Sequence, residues 1–270
     1  MDSSAIQRLF AIINGFPVLR RPEGTTGIVE FGTTAITCHD YLVEAKRFEE
    51  FARLCIEREK LIYQTLSKHP HILDCVAITE HGLHFPYMRL GNLRQYLQNH
   101  TKIIESTVRE QWIETAASSI TLIHGYGIIH ADISVRNFLI ADDLLPKLFD
   151  IFGSAIGEED SMISEEDRYH IAPGSPRSTT PDIFTLGCLF FEIATGQRPY
   201  NEIDDDEEIQ QRYRDGQFPC LKGVLHNEII YKCWTSQYTS VDELLHELIH
   251  GMKAWKIKKM NFVYHWFQSL

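Results

Sequence analysis

The chain has 270 residues, and its 26 lysines and arginines stand against 37 aspartates and glutamates, which gives a net charge of −11. Proteins that bind nucleic acids carry an excess of positive charge, so this balance argues against a nucleic-acid partner. No apolar stretch approaches the roughly 20 residues that a helix needs to cross a bilayer, so no transmembrane segment is predicted.

The N-terminus and the cysteines both favour an intracellular protein. Position 2 is acidic (Asp2), whereas a secretory signal begins with basic residues. The six cysteines are dispersed and include no C-x-x-C pair, which favours reduced, buried thiols over disulfides or a zinc site. We therefore expect a cytoplasmic or nuclear protein.

Up to about residue 88 the residue pattern predicts a small sheet and one helix. The helix is predicted over Phe48–Leu66, where apolar residues recur at helical spacing. Short runs rich in β-formers predict the strands. These runs are Gly27–Glu30, Ala35–Thr37, Tyr41–Ala45, Val76–Thr79 and Leu83–Tyr87.

From about residue 89 to the end of the chain, helical patterns dominate, and the join is expected around Tyr87–Gly91. The two parts together predict an α+β protein. The predicted helices are Asn92–Gln98, Ser106–His124, Asp182–Thr195, Glu207–Arg214, Asn227–Trp234 and Val241–Gly251.

A polar loop between two apolar runs carries the residues best suited to chemistry. Asp132 and Asn137 lie five positions apart in this loop, and Asp150 follows 13 positions later at the end of a strand-like segment. Carboxylate and amide oxygens are ligands that Mg²⁺ prefers, and a further carboxylate can accept a proton from a hydroxyl. Each residue alone would be read as a turn former, but together they suit phosphate transfer from a magnesium-bound triphosphate.

The sequence H-x-D-x-x-x-x-N followed by a further Asp resembles the catalytic and metal-binding loops of eukaryotic protein kinases. Asp182–Gly187 looks like the family's D-x-W-x-x-G helix, whose Asp braces the catalytic loop, and Gly196–Tyr200 looks like its G-x-x-P-F/Y. The residues in these motifs are similar to those of small kinase-domain proteins from fungi. The resemblance implies one domain over residues 1–270 with two lobes, about 1–88 and 89–270. It also implies Asp132 as catalytic base, with Asn137 and Asp150 as magnesium ligands.

Further upstream, the resemblance assigns the nucleotide site. Gly24, Gly27 and Val29 match the end of the family's glycine-rich loop, with Pro22 in place of its first glycine. Val43–Lys46 resembles V-A-I-K, which implies Lys46 on a strand, in contact with the α- and β-phosphates of ATP. Its implied ion-pair partners are Glu59 and, as second choice, Glu57 on the following helix.

The adenine of ATP is expected against the segment Phe85–Met88. Phe85 would limit the depth of the pocket behind the nucleotide, and Met88 would contact the base. The implied cofactors are therefore ATP and Mg²⁺, and the implied partner is a protein substrate.

Four departures from the family pattern affect the expected activity. Ala131 replaces an arginine that often anchors a phosphorylated activation loop, so a phosphate on Ser161 or Ser164 has no evident partner, and we expect activity without loop phosphorylation. Ser134 stands where serine/threonine kinases have a lysine, while Arg136 stands where tyrosine kinases have an arginine and is a candidate catalytic cation.

The other two departures lie at D-F-G and A-P-E. Asp150-Ile151-Phe152-Gly153 replaces D-F-G, either by two substitutions or by one insertion, and a Phe at the glycine position would restrict the backbone. Ala172-Pro173-Gly174 lacks the Glu of A-P-E, and the arginine that pairs with it also has no equivalent near the end of the chain.

Two functions remain open at this point. The first is a protein kinase, with serine and threonine favoured and tyrosine not excluded by Arg136. The alternative is a pseudokinase that binds ATP or a partner without turnover. The sequence leaves the oligomeric state open.

A zinc-protease motif is also present but lacks support. His246, Glu247 and His250 spell H-E-x-x-H, yet no Asp or Glu follows residue 250, and only His265 could act as a third ligand. We interpret this segment as one face of an amphipathic helix.

Overall fold

The computed structural model describes the chain over residues 10–13, 16–19, 26–28, 39–79, 82–100, 104–170 and 178–251, with side chains from residue 51 onward except at residues 52 and 167. It contains six helices with defined ends and a seventh helical segment within these ranges. These are α1 (His39–Thr65), α2 (Leu93–His100), α3 (Ser106–Gly125), α4 (Thr180–Thr195), α5 (Asp206–Arg214), α6 (Asn227–Trp234) and α7 (241–251).

Nine short strands form four small antiparallel sheets in the described ranges. The sheets pair β1 with β2, β6 with β9 and β7 with β8, and the three-stranded sheet has the order β3-β5-β4. The strands are β1 (Phe10–Ile13), β2 (Phe16–Leu19), β3 (Thr26–Ile28), β4 (Ala77–Thr79), β5 (Gly82–Pro86), β6 (Ile128–Ile129), β7 (Phe138–Ile140), β8 (Pro146–Leu148) and β9 (Ala155–Ile156).

The predicted strand over Tyr41–Ala45 is wrong, because these residues belong to α1. The segment contains Leu42, Glu44, Ala45 and Lys46, which are strong helix formers, and neither glycine nor proline interrupts it. The helix therefore begins nine residues earlier than the apolar periodicity from Phe48 suggested. The predicted strand Ala35–Thr37 lies outside the described residues.

The helical part of the molecule is built around α4. Twelve consecutive residues, from Asp182 to Ile193, are buried, so this helix is covered on all sides. At Gly187 a Cβ would lie 2.7 Å from the Cβ of Cys233, so only glycine lets α6 pack this closely against α4. Gly196 ends the helix in a left-handed conformation (φ 78°), and its N–H donates to the carbonyl of Glu192.

A second, smaller apolar cluster joins α1 to the three-stranded sheet and to the strands of the polar loop. Leu73, Leu83 and Phe85 form its buried centre, and residues from three other elements pack against it. These include Ile56, Tyr63, Met88, Leu139 and Phe149. The cluster fixes α1 and β5 beside the polar loop that carries Asp132 and Asn137.

The α+β fold, with a small strand-rich part and a larger helical part, is confirmed. All six predicted helices after residue 88 are present, and the ends of the first five lie within two residues of the prediction. Among the described residues, no helix combines the length and the apolar character needed to cross a bilayer.

Candidate active site

The hairpin β7–β8 brings Asn137 and Asp150 to the same end of two paired strands. Phe138 pairs with Leu148, and beyond this pair the Phe149 N–H donates to the Asn137 carbonyl at 3.1 Å. Asn137 ends a short 3₁₀ turn whose start is capped by the Ser134 hydroxyl, which accepts from the Arg136 N–H. Residues 13 positions apart in sequence therefore become direct neighbours.

Asn137 is also tied to Asp132. Its amide nitrogen donates to the Asp132 carbonyl at 2.6 Å and to Asp132 Oδ2 at 3.3 Å, so the orientation of the amide is fixed. The amide oxygen, Oδ1, is buried and has no hydrogen-bond partner among the described residues. A buried acceptor without a partner is costly unless a ligand satisfies it.

Asp182 of α4 braces the loop that carries Asp132, as the resemblance predicts. Its carboxylate accepts from the N–H groups of His130 (2.8 Å) and Ala131 (2.9 Å) and contacts His124 Nε2 at 2.7 Å. Burial alone would raise the pKa of Asp182, but the hydrogen bond and charge of His124 outweigh it and lower the pKa. Ala131 adopts φ 63°, a strained conformation for a residue with a side chain, and the bond from its N–H to Asp182 stabilises it.

Two carboxyl groups in the pocket have raised pKa values. Burial, reinforced by the charge of Asp150, raises the pKa of Asp132 to about 8, although Arg136 and Asn137 oppose this shift. Burial also raises the pKa of Asp150 to about 6, against the hydrogen bond from the Phe152 N–H and the charge of Arg136. Both acids are therefore buried in surroundings that disfavour negative charge.

These residues fit a magnesium site. Asp150 provides a hard carboxylate oxygen, and Asn137 provides a fixed amide oxygen with no other partner in the described part of the chain. A divalent cation would stabilise the charged form of both carboxyl groups, which burial disfavours.

The "Protein kinase domain" family matches residues 25–267 of this chain. The chain belongs to the protein kinase family. Human "Tyrosine-protein kinase FRK" is 28% identical over 200 residues, which cover 67% of this chain and 39% of that protein. The "Dual specificity protein kinase zakA" of Dictyostelium discoideum is 26% identical over 210 residues, covering 65% of this chain and 26% of that protein.

A third relative, the "Serine/threonine-protein kinase PLK4" of Nematostella vectensis, is 29% identical over 154 residues, covering 50% of this chain and 15% of that protein. The kinase chain thus spans well under half the length of these relatives. Their names differ in the hydroxyl group that is phosphorylated, so membership of the family leaves this specificity open.

Within this kinase domain, Glu59 faces the site and Glu57 does not. Glu59 is buried, and its Oε1 accepts from the Ile151 N–H at 3.4 Å, next to Asp150. Burial, together with the charge of Asp150, raises the pKa of Glu59. Glu57 is 54% exposed and pairs with Lys60 at 2.7 Å on the surface of α1.

The structure does not bring Lys46 to Glu59. Both residues lie on the continuous helix α1, 13 positions apart, and at 1.5 Å per residue this separates their backbones by about 20 Å. That distance exceeds the combined reach of a lysine and a glutamate side chain, so the predicted ion pair is wrong in this arrangement. The side chain of Lys46 lies outside the described residues, and its contact with the phosphates stays a prediction.

Only part of the predicted nucleotide pocket lies within the described residues. Gly27 lies in β3 directly opposite Phe85 of β5, so the glycine-rich strand borders the segment Phe85–Met88. Phe85 is buried, and the ring of Tyr63 packs edge-on against it with centroids 5.2 Å apart. Gly24 and Val29 lie outside the described residues.

The altered D-F-G segment keeps its conformational freedom at Gly153. This residue has φ 72°, and a Cβ there would lie 2.9 Å from Ile163 Cγ2. Phe152 is not among the described residues with positive φ, so a phenylalanine at this position does not strain the backbone. The side chain of Ile151, which follows Asp150, is fully buried. Ala172, Pro173 and Gly174 lie outside the described residues.

Two arginines that the sequence analysis missed hold the segment after Asp150. Arg58 of α1 donates to the carbonyls of Ser154 (2.9 Å) and Asp160 (3.1 Å) and pairs with Glu159. Arg94 of α2 pairs with Glu166, which lies 72 positions away. No sequence spacing signals contacts of this kind, because they form only when the helices pack against the segment.

Glu166 belongs to an ion cluster of four residues, namely Arg94, Arg136, Glu166 and Glu192. Arg94 Nη1 lies 2.9 Å from Glu166 Oε1, and two other nitrogens of Arg94 donate to Glu192 at 2.8 and 2.9 Å. Arg136 Nε lies 2.7 Å from the same Glu166 Oε1. The Tyr169 hydroxyl donates to Glu192.

The H-E-x-x-H segment lies in α7, away from this site. The rings of His246 and His250 stack with centroids 3.9 Å apart, and His250 Nδ1 contacts the His246 carbonyl at 2.8 Å. Glu247 pairs with Lys232 at 2.7 Å and accepts from the Tyr238 hydroxyl. Over the part of the chain that the structure describes, no three His, Cys, Asp or Glu residues form a group suited to a metal.

Proposed function

We propose that this kinase domain transfers the γ-phosphate of ATP to a hydroxyl group of a protein substrate. The observation that carries the proposal is the arrangement of Asp132, Asn137 and Asp150. Asn137 is fixed by Asp132 and presents a buried oxygen without a partner, and it borders Asp150, whose pKa burial has raised. A site built from these groups binds hard cations and positions a hydroxyl, which is what phosphoryl transfer requires.

Each residue has a separate task in this proposal. Asn137 and Asp150 hold Mg²⁺, which neutralises charge on the ATP phosphates. Asp132 accepts a hydrogen bond from the substrate hydroxyl and takes its proton during transfer. Asp182 keeps the N–H groups of His130 and Ala131 in place, so the carboxylate of Asp132 stays aligned with the incoming hydroxyl.

The nucleotide is proposed to lie between β3 and the segment Phe85–Met88. Phe85 and Tyr63 fill the space behind this segment, so the adenine contacts the edge of the sheet near Met88. Gly24, Gly27 and Val29 would cover the phosphates, and Lys46 would contact them, as the resemblance implies. Among the described residues, Arg136 is the cation next to Asp132, and we assign it to the charge that develops on the transferred phosphate.

Serine and threonine are the proposed acceptors. The names of the dual specificity and the serine/threonine relatives support serine and threonine as acceptors. The name of the tyrosine relative supports tyrosine. Ser134 is fully buried and its hydroxyl accepts from the Arg136 N–H, so its side chain is not directed at a substrate. Phosphorylation of peptide libraries that contain only serine, threonine or tyrosine tests the assignment.

The buried Ser134 is also the observation that favours a pseudokinase. A serine in this position supplies no positive charge to the phosphates, which would allow ATP binding without turnover. In that function Asp150 and Asn137 still bind Mg²⁺-ATP, but Asp132 has no hydroxyl to activate.

Transfer of labelled phosphate from Mg²⁺-ATP to a generic protein acceptor separates the two functions. We expect transfer by the wild-type chain and a loss of at least about a hundredfold in Asp132→Asn and Asp150→Asn. Asp142→Asn is the matched control, since Asp142 is 73% exposed in a surface ion pair with Arg89. Thermal stabilisation by Mg²⁺-ATP without any transfer would instead establish the pseudokinase.

A further inference from the structure

We propose that Glu166 is a positioning residue of the kinase site, which holds Arg136 beside Asp132 and fastens the segment 153–170 to Arg94. This inference rests on the proposed phosphotransfer function. In this inference the carboxylate of Glu166 anchors the segment 153–170, so a phosphate on the segment is not needed.

The contact between Glu166 and Arg136 reaches into the catalytic loop. Arg136 directly precedes Asn137, and its Nε lies 2.7 Å from Glu166 Oε1. The side chain of Glu166 is only 10% exposed, whereas that of Arg136 is 35% exposed. The largely buried carboxylate therefore holds the guanidinium of Arg136 by attraction between opposite charges. The positive charge of Arg136 acts on both Asp132 and Asp150 from this position.

The contact between Glu166 and Arg94 ties the same carboxylate to the helical core. Arg94 Nη1 donates to both oxygens of Glu166, at 2.9 and 3.1 Å. The remaining face of Arg94 is held by Glu192 of the buried helix α4. Arg94 cannot move without breaking these bonds, so Glu166 has a fixed partner on one side and positions Arg136 on the other.

The charges of the ion cluster explain why a phosphate is not required. The two arginines and two glutamates of the cluster balance, and Glu166 bridges both arginines. An added phosphate would have to displace Glu166 from both of them. It would also lie among the acids Glu158, Glu159 and Glu165 of the same segment, which repel it.

Steady-state kinetics with Mg²⁺-ATP and an acceptor peptide test the positioning role. We expect Glu166→Gln to lower kcat at least about tenfold with KM for ATP within about threefold, and Glu166→Asp to restore most of kcat. Glu159→Gln removes the same charge from the same segment at a residue that is 71% exposed, and we expect kcat to stay within about twofold. Phosphatase treatment of the wild type should leave kcat unchanged.

A double-variant cycle shows whether Glu166 acts through Arg136. In an Arg136→Gln background, we expect Glu166→Gln to lower kcat by less than about threefold, because the group that it positions is already gone. Equal fold-losses in both backgrounds would show that Glu166 is merely structural and would overturn the inference.

Hydrogen exchange separates failure of this inference from failure of the proposed function. We expect amides of residues 153–170 and 132–138 to exchange faster in Glu166→Gln than in Glu159→Gln or the wild type, whether or not phosphate is transferred. A wild-type chain that transfers no phosphate would overturn the proposed function, and the exchange rates would still decide the anchoring. Exchange as slow in Glu166→Gln as in the wild type would overturn the inference.

Discussion

Two regions meet at the candidate site, and they are held together in different ways. The first, the catalytic region, spans residues 128–156 and is organised by neighbours in sequence, since β7 and β8 are joined by a five-residue connection and Asn137 contacts Asp132. The second, helix α1, reaches the site through isolated side chains that contact segments more than 80 positions away. The hairpin and the contact between Asn137 and Asp132 are therefore set locally, whereas the place of α1 depends on packing.

Helix α1 contacts mainly backbone groups of the catalytic region and the segment that follows it. Tyr63 donates to the Phe149 carbonyl at 2.9 Å, Glu59 accepts from the Ile151 N–H, and Arg58 donates to the Ser154 carbonyl. Side-chain identities in the catalytic region can therefore vary without loss of these contacts. This explains how Ile151 and Phe152 can replace the usual D-F-G residues while the helix stays docked.

The largest effect is expected at Asp182, which braces the catalytic region from the buried helix α4. Asp182→Ala leaves the N–H groups of His130 and Ala131 without a buried acceptor and removes the partner of His124. We expect a loss of about 3–5 kcal/mol in the free energy of unfolding, measured in urea, together with loss of phosphate transfer. A stable Asp182→Ala chain with normal transfer would show that the loop geometry does not depend on this brace.

Acid should weaken the catalytic region through His130. Burial lowers the pKa of His130 to about 4 in the folded chain, from a usual value near 6.5. Because the folded pKa is depressed, its contribution to stability is complete above pH 6.5 and is lost as the pH falls towards 4.

The measurement compares urea unfolding of the wild type and His130→Asn at pH 7 and pH 4.5. We expect the wild type to lose about 2–3 kcal/mol more than the variant over this interval, because carboxyl groups titrate alike in both chains. His246→Asn, an exposed substitution on α7, should keep the wild-type dependence. Equal losses in the wild type and His130→Asn would contradict a buried neutral imidazole.

The docking of α1 is tested at Arg58, with a smaller expected effect. Arg58→Gln removes bonds to the Ser154 and Asp160 carbonyls, and we expect a loss of about 1–3 kcal/mol in stability and of about tenfold in kcat, as Glu59 shifts away from Ile151. Arg53→Gln changes an exposed arginine of the same helix and should alter neither quantity. If Arg58→Gln and Arg53→Gln have the same stability and the same kcat, the contacts of Arg58 do not hold the helix in place.

The contrast between the regions also explains what could be predicted from the sequence. The spacing of Asp132, Asn137 and Asp150 predicts that they meet, because a tight hairpin joins the strands beside them. The periodicity of α3 reflects one face in the core, and the long apolar run of α4 reflects burial on all sides. The strand assigned to Tyr41–Ala45 failed because the residues are good helix formers in a short window. The sequence could not predict the roles of Arg58, Arg94 and Glu166. Their partners are set by tertiary packing, which leaves no local sequence pattern.

The smallest effect is expected for Tyr63→Phe, at the point where α1 contacts both the sheet and the catalytic region. Tyr63→Phe keeps the ring against Phe85 and removes only the hydrogen bond to the Phe149 carbonyl, so we expect about 1 kcal/mol of destabilisation and ATP affinity within about twofold. Tyr63→Ala also removes the ring and should cost about 3–5 kcal/mol, because the cavity opens beside Leu73 and Phe85. A similar loss in both variants would mean that the hydrogen bond, rather than the aromatic contact, docks this end of the helix. This end of α1 would then be held chiefly by its contact with the backbone of the catalytic region.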